Sequence, residues 1–151
     1  FSQVFFTKTV LPTFLKQKSG RVVFVSSVAG LLGTQYRASY SAAKAAIHMW
    51  ANSLRAEVSK DGVEVSVVFP GFVKTNVSFN ALNGEGKTQG HQDEAIENGL
   101  DADVFAQRVV EALMAGEEYV VVGGKKEQLG VLVSRLSPSL LYKMIRKTKV
   151  K

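Results

Sequence analysis

Three short apolar runs constrain the fold of this chain more than any other feature. Val22-Val23-Phe24-Val25, residues 63–69 and Tyr119-Val120-Val121-Val122 are of strand length and rich in β-branched residues, and each ends on turn formers: Ser26-Ser27, Pro70-Gly71 and Gly123-Gly124. Helical patterns separate them, so the order is strand, helix, strand, helix, strand. Strands joined through a helix run parallel, and such crossovers are right-handed in nearly every case. The expected fold class is therefore α/β, with ligand sites outside the carboxyl ends of the strands. The middle run alternates at first and then becomes wholly apolar, as an inner strand does toward its buried end.

The helices have their own signals. Phe1, Phe5, Phe6, Val10, Leu11, Phe14 and Leu15 recur at helical spacing, cations gather at Lys16 and Lys18, and Ser19-Gly20 stops the run. Residues 37–60 read as a helix with small or apolar positions on more than one face, which suggests a helix sandwiched between the sheet and something else. Lys60-Asp61-Gly62 ends it with a cap glycine. Asp101 caps a third helix that stops at Gly116, and two short helices follow near 128–134 and 140–145, with Pro138 starting the second. The stretch 76–99, rich in Asn, Gly, Gln and Glu, has little apolar periodicity and reads as a long loop or lid.

At 151 residues and 46% hydrophobic, the chain suits one domain with a sizeable core. With no cysteine, disulfide scaffolds and thiolate metal sites are excluded, and His48 and His91 make no metal-ligand spacing. The formal charge of +6 belongs to the end of the chain: Arg135, Lys143, Arg146, Lys147, Lys149 and Lys151 lie beyond the last acidic residue, and the body before them is neutral. Nothing in that distribution points to nucleic acid. The basic helical tail, residues 125–151, leaves two alternatives open, contact with an anionic membrane surface or plain solvation. No apolar run reaches the ~18 residues of a membrane span and no signal peptide is recognisable, so a cytoplasmic location is expected, with membrane association as the alternative should an anchor precede Phe1.

Chemistry concentrates at Tyr40-Ser41-Ala42-Ala43-Lys44. Residues four apart share one face of a helix, so Tyr40 and Lys44 belong to one site. A phenol ionises near pH ~10, and a neighbouring ammonium favours its anionic form, which makes the pair fit for acid/base work near neutrality. Thirteen residues before Tyr40, Ser27 stands at the carboxyl end of the first strand, with Ser26 as its rival; Pro70-Gly71 and then Thr75 follow the second strand.

Serine, Tyr-x-x-x-Lys and Pro-Gly…Thr in this register resemble the short-chain dehydrogenase/reductase family. The resemblance implies the carboxyl-terminal part of a Rossmann-like, doubly wound parallel sheet, and an oxidoreductase moving hydride between a nicotinamide and a carbonyl or secondary alcohol. It makes Tyr40 the general acid/base, Ser27 the holder of the substrate oxygen, and Lys44 the partner of both the tyrosine and the nicotinamide ribose. Pro70, Gly71, Val73 and Thr75 match the segment that supports the nicotinamide. It also implies a homodimer or larger homo-oligomer through the helices around 1–17 and 38–60; ordinary core is the competing reading of Met49 and Trp50.

Two positions depart from the family pattern, Gln35 where proline is common and Ala43 where serine is common, and neither carries proton chemistry. The run Pro70-Gly71-Phe72-Val73-Lys74-Thr75-Asn76-Val77-Ser78 is most similar to the branch containing dehydrogenase/reductase member 7B and its bacterial relatives. That branch implies NADP, with NAD left open, and a hydrophobic, lipid-like ketone. The family's glycine-rich pyrophosphate turn would lie upstream of Phe1, and Gly30-Leu31-Leu32-Gly33 has the wrong spacing to replace it. The chain is thus expected to be the carboxyl-terminal portion of one dinucleotide-binding domain, and the alternative is an inactive remnant or binding module on the same scaffold.

Overall fold

A computed structural model describes residues 2–147. Helix α1 (Ser2–Gln17) leads into strand β1 (Gly20–Val25), followed by α2 (Ala38–Val58) and β2 (Val63–Pro70). Next come the short α3 (Glu94–Glu97), α4 (Ala102–Met114), β3 (Tyr119–Val122), α5 (Lys125–Leu136) and α6 (Pro138–Lys147). The strands form one parallel sheet in the order β1-β2-β3, with Val25 paired to Val68 and Pro70 to Val122. Their carboxyl ends therefore finish side by side. The expected α/β class is what the chain adopts.

Alternation along β2 explains why helices cover both faces. Val63, Val65, Val67 and Phe69 join Phe24 and the α2 residues Ile47, Ala51, Leu54 and Val58 in one core. Val68 points the other way, joining Val120 and Val122 beneath Phe105, Val109 and Leu113. A strand projects successive side chains to opposite faces, so a continuous apolar run feeds two cores at once. Each fully buried Val or Phe contributes ~1.5–3 kcal/mol. Strand β1 is covered on one face only: Phe24 is buried, while Val23 and Val25 are 37% and 50% exposed. Between α1 and β1 runs an apolar groove of about 430 Å³, lined by Phe6, Val10, Phe14 and the strand itself.

Within the chain helix α2 buries a single stripe, Ile47, Ala51, Leu54 and Val58, and leaves its other face open. Trp50 packs edge-on against Phe24 with ring centres 5.5 Å apart and belongs to the core, whereas Met49 is 61% exposed. After the helix, Gly62 adopts φ +72°, and a Cβ there would collide with the Lys18 carbonyl, so this turn requires glycine. The Asp101 carboxylate accepts from the N–H groups of Asp103 and Val104 at 2.9 and 3.3 Å, the expected cap of α4.

Residues 76–99 are knit by polar contacts, which apolar periodicity does not register. Asn83 Oδ1 accepts from the N–H groups of Glu85 and Lys87, and buried Ser78 bonds Gln92 and accepts from the Asp93 N–H. The base is closed by a parallel bridge between Val73 and Leu100. Helices α5 and α6 fold back onto the first core through Val131 and Leu141, leaving Leu129, Leu132, Leu136 and Leu140 exposed. Of the tail cations, Lys149 and Lys151 lie outside the described residues. Among the described residues no helix is long and apolar enough to cross a membrane.

Candidate active site

The two serines after β1 have opposite fates. Ser26 continues the strand: its N–H donates to the Val68 carbonyl at 2.8 Å, its side chain turns inward, and it is 2% exposed. Its hydroxyl donates to the Lys44 carbonyl at 2.8 Å. Ser27, half-buried and extended (φ −168°), caps a short 3-10 turn by accepting from the Ala29 N–H at 3.1 Å. Its hydroxyl reaches the Pro70 carbonyl at 3.4 Å, which joins the end of β1 to the end of β2. Of the two rivals, Ser26 is buried and Ser27 partly exposed.

Helix α2 brings Tyr40 and Lys44 to the same region. The Lys44 ammonium donates to the Val25 carbonyl at 3.2 Å and stands 5.7 Å from the centre of the Tyr40 ring. Tyr40 is 43% exposed. Among the described residues no carboxylate pairs with Lys44, so its charge is held only by dipoles and solvent. Gly30 explains how the turn after Ser27 fits against α2, because a Cβ there would lie 2.8 Å from the Lys44 carbonyl carbon.

Pro70 and Gly71 close β2 beside the end of β3. The Gly71 N–H donates to Val122 at 2.8 Å, and its Cα faces Gly123 so closely that an added Cβ would lie 2.9 Å away. Val73 sits in the bridge to Leu100, and exposed Thr75 accepts locally from the Val77 N–H at 3.4 Å. The chain therefore groups Ser27 with Pro70, and Tyr40 with Lys44, around the strand ends. Among the described residues no hydrogen bond joins Thr75 to Ser27, Tyr40 or Lys44.

Other candidates fall away from this cluster. Among the described residues no group of three or more His, Asp or Glu is placed to hold a metal ion. Exposed His91 bonds within its own loop, at the Gln89 carbonyl, 3.2 Å. His48, one turn beyond Lys44, is packed edge-on against Phe69 and Tyr119, and Asn52 donates to its Nε2 at 3.0 Å in the tautomer that leaves this nitrogen an acceptor. Burial, then the guanidinium groups of Arg55 and Arg135, hold its pKa below the ordinary value. Gln35, where the family often has proline, donates to the Ile145 carbonyl at 3.4 Å and ties α6 to the loop before α2.

A phenol, an ammonium with no carboxylate partner among the described residues, and a hydroxyl thus stand beside the ends of parallel strands, groups of the kind that can exchange protons. The family model described as short chain dehydrogenase matches residues 1–85. The chain belongs to the short-chain dehydrogenase family. Among its relatives are the dehydrogenase/reductase SDR family protein 7-like of Drosophila melanogaster, 37% identical over 151 residues, and the SDR family member 7B of Xenopus laevis, 35% identical over 156 residues. Both matches cover the whole chain but only 46% and 48% of those proteins. The chain thus spans just under half the length of these curated relatives. A short-chain dehydrogenase from Streptomyces avermitilis shares the fold at TM-score 0.70 and 27% identity, over 97% of this chain and 58% of that one.

Sequence reasoning missed Ser26 as an anchor, Gly30 as a close-packing point and Val25 as the acceptor for Lys44. Strand alternation was the available signal for the first, since Ser26 shares its face with buried Phe24. The other two depend on how α2 crosses the sheet.

Proposed function

We propose that the complete protein is an NADP-dependent reductase or dehydrogenase, with NAD as the alternative coenzyme, acting on a hydrophobic carbonyl or secondary alcohol. The observation that carries this reading is the Lys44 ammonium standing 5.7 Å from the Tyr40 ring centre and anchored at the end of β1. The donor set suits a nicotinamide riboside: Lys44 has further donors beyond its bond to Val25, and an ammonium with no carboxylate partner attracts ribose hydroxyls. When bound, the coenzyme supplies the hydride to the carbonyl carbon.

In reduction, Tyr40 gives its phenolic proton to the carbonyl oxygen as that oxygen gains charge, and the product is the alcohol. Lys44 stabilises the negative charge left on the phenolic oxygen. Ser27 donates to the substrate oxygen and holds it near Tyr40, exchanging its 3.4 Å bond to Pro70 for the substrate. In oxidation the proton moves from the alcohol to Tyr40. Pro70, Gly71, Val73 and Thr75 support the nicotinamide from the β2 side, and residues 76–99 close over the substrate. Exposed Phe5, Phe6 and Met49 supply apolar area for pairing α1 and α2 with a second copy.

The test is Tyr40→Phe in the complete protein, assayed with NADPH and a panel of hydrophobic ketones. Turnover is expected to fall by about 10²–10⁴-fold while coenzyme affinity stays near the parent value, and retention of most activity would remove Tyr40 from the mechanism.

A further inference from the structure

We infer that Ser26 is a positioning residue for Lys44, and that its buried hydroxyl sets the depth at which the Tyr40–Lys44 helix seats against the end of β1. The inference rests on the proposed role of Lys44. Its geometric basis is that two adjacent residues of the β1 end hold Lys44 at both of its ends. The Val25 carbonyl takes the ammonium at 3.2 Å, and Ser26 Oγ donates to the main-chain carbonyl at 2.8 Å.

Lys44 lies in the interior of α2, where its carbonyl accepts the helical bond from four residues on. A carbonyl oxygen has two lone pairs, and Ser26 occupies the second. Because Ser26 is 2% exposed, water does not replace its hydroxyl readily, and an alanine there leaves that acceptor position unmet inside the protein. Gly30 defines the same seat from the other side, with a hypothetical Cβ only 3.0 Å from the Lys44 carbonyl oxygen. The strand end and the turn after it therefore grip one helical residue, and Tyr40 rides one turn away on the same rigid element. Small displacements of such a group are costly, on the order of 100-fold in rate for ~1 Å.

The molecule supplies its own control. Ser66, on the neighbouring strand and 3% exposed, donates to the Glu117 carbonyl at 3.0 Å, the same kind of buried bond away from Tyr40 and Lys44. Ser26→Ala, Ser26→Cys, Ser66→Ala and Lys44→Ala are compared in the complete protein by thermal melting, NADPH titration followed by fluorescence, and the pH–rate profile with hydrophobic ketones. Ser26→Ala and Ser66→Ala are expected to lose similar thermal stability. Only Ser26→Ala should weaken NADPH binding and lower kcat, each roughly tenfold, and displace the pH limb in the direction Lys44→Ala displaces it.

Ser26→Cys, which keeps a weak donor, should fall between parent and alanine, and it carries the comparison if Ser26→Ala does not fold. Ser26 variants that match Ser66→Ala in coenzyme affinity and pH profile overturn the inference while Lys44→Ala remains impaired. A Lys44→Ala protein with unchanged rate and coenzyme affinity would instead bring down the reading of the site, and the positioning role with it.

Discussion

Lys44 Nζ donates to the Val25 carbonyl, 19 residues upstream, while standing 5.7 Å from the centre of the Tyr40 ring, so one ammonium ties the end of β1 to the phenol one helical turn before it. Removing that ammonium removes a charge beside the phenol and, on the proposed reading, a donor toward the ribose. In the complete protein Lys44→Ala should therefore lose both kcat and coenzyme affinity, whereas Tyr40→Phe should lose kcat alone, by about 10²–10⁴-fold, the range of a single general acid. Parallel coenzyme titrations separate the two. A Lys44→Ala protein slower in turnover but unchanged in coenzyme affinity would show that Lys44 does not reach the ribose.

His48 gives the protein a pH-dependent stability on its acid side. Its folded pKa lies below the ordinary value of 6.5, so as the pH falls through that value the unfolded chain takes up a proton that the folded chain resists. Stability from this group is therefore present above the unfolded pKa and lost below it, toward the lower folded value. Arg55 on α2, Arg135 on α5 and Tyr119 on β3 surround the imidazole, and Glu118 partly offsets Arg55 at 3.4 Å. Urea midpoints measured at about pH 7.5 and about pH 5.5, either side of the ordinary imidazole value, should diverge less in His48→Gln than in the parent. Equal divergence would assign the effect to other groups.

Residues 76–99 are held by bonds that are mostly exposed and polar, such as Gln92 Nε2 to the Thr75 carbonyl at 3.0 Å and the Arg37–Asp93 pair at 3.7 Å. Segments with few buried apolar contacts open at low cost. Hydrogen exchange in this loop should be fast in the free complete protein and slow when NADPH and a ketone substrate analogue are bound together. Equally strong protection in both states would mean that the loop is not a lid.

Much of the architecture was legible because it rests on periodicities of two and 3.6. The runs ending at Val25, Phe69 and Val122 became strands almost at their expected bounds, and Asp101 and Gly62 marked helix ends through cap chemistry that is local to them. The pairing of Tyr40 with Lys44 was legible for the same reason, since helical spacing alone brings them together. Relations set by the crossing of α2 over the sheet were not. Strand phase carried the signal that Ser26 turns in beside Phe24, but that its hydroxyl meets the Lys44 carbonyl and that Lys44 finds the Val25 carbonyl depend on contacts spanning β1 and α2. Order in residues 76–99 escaped too, because Asn83 and Ser78 build it from side-chain to backbone bonds that leave no apolar pattern.

The remaining prediction concerns residues 1–151 expressed alone: they should bind NADPH weakly or not at all, catalyse nothing and self-associate. The argument is one of partition. On the proposed reading Ser27, Tyr40 and Lys44 serve the nicotinamide end, while the chain covers just under half of its curated relatives' length, 46% and 48% in the two compared. Among the described residues strand β1 pairs only with β2, so its other side offers free backbone groups along an edge. Beside that edge lie Val23 and Val25, half open to solvent, and the apolar groove between α1 and β1. An open edge with exposed β-branched residues is a template for pairing with another chain. Sedimentation across a concentration series should show concentration-dependent assembly, and Val23→Lys, placing a charge on the uncovered face, should reduce it. Micromolar NADPH binding with ketone turnover by a monodisperse 151-residue protein would defeat the argument, because the site would then be shown to need nothing beyond the strands, turns and helices it already has.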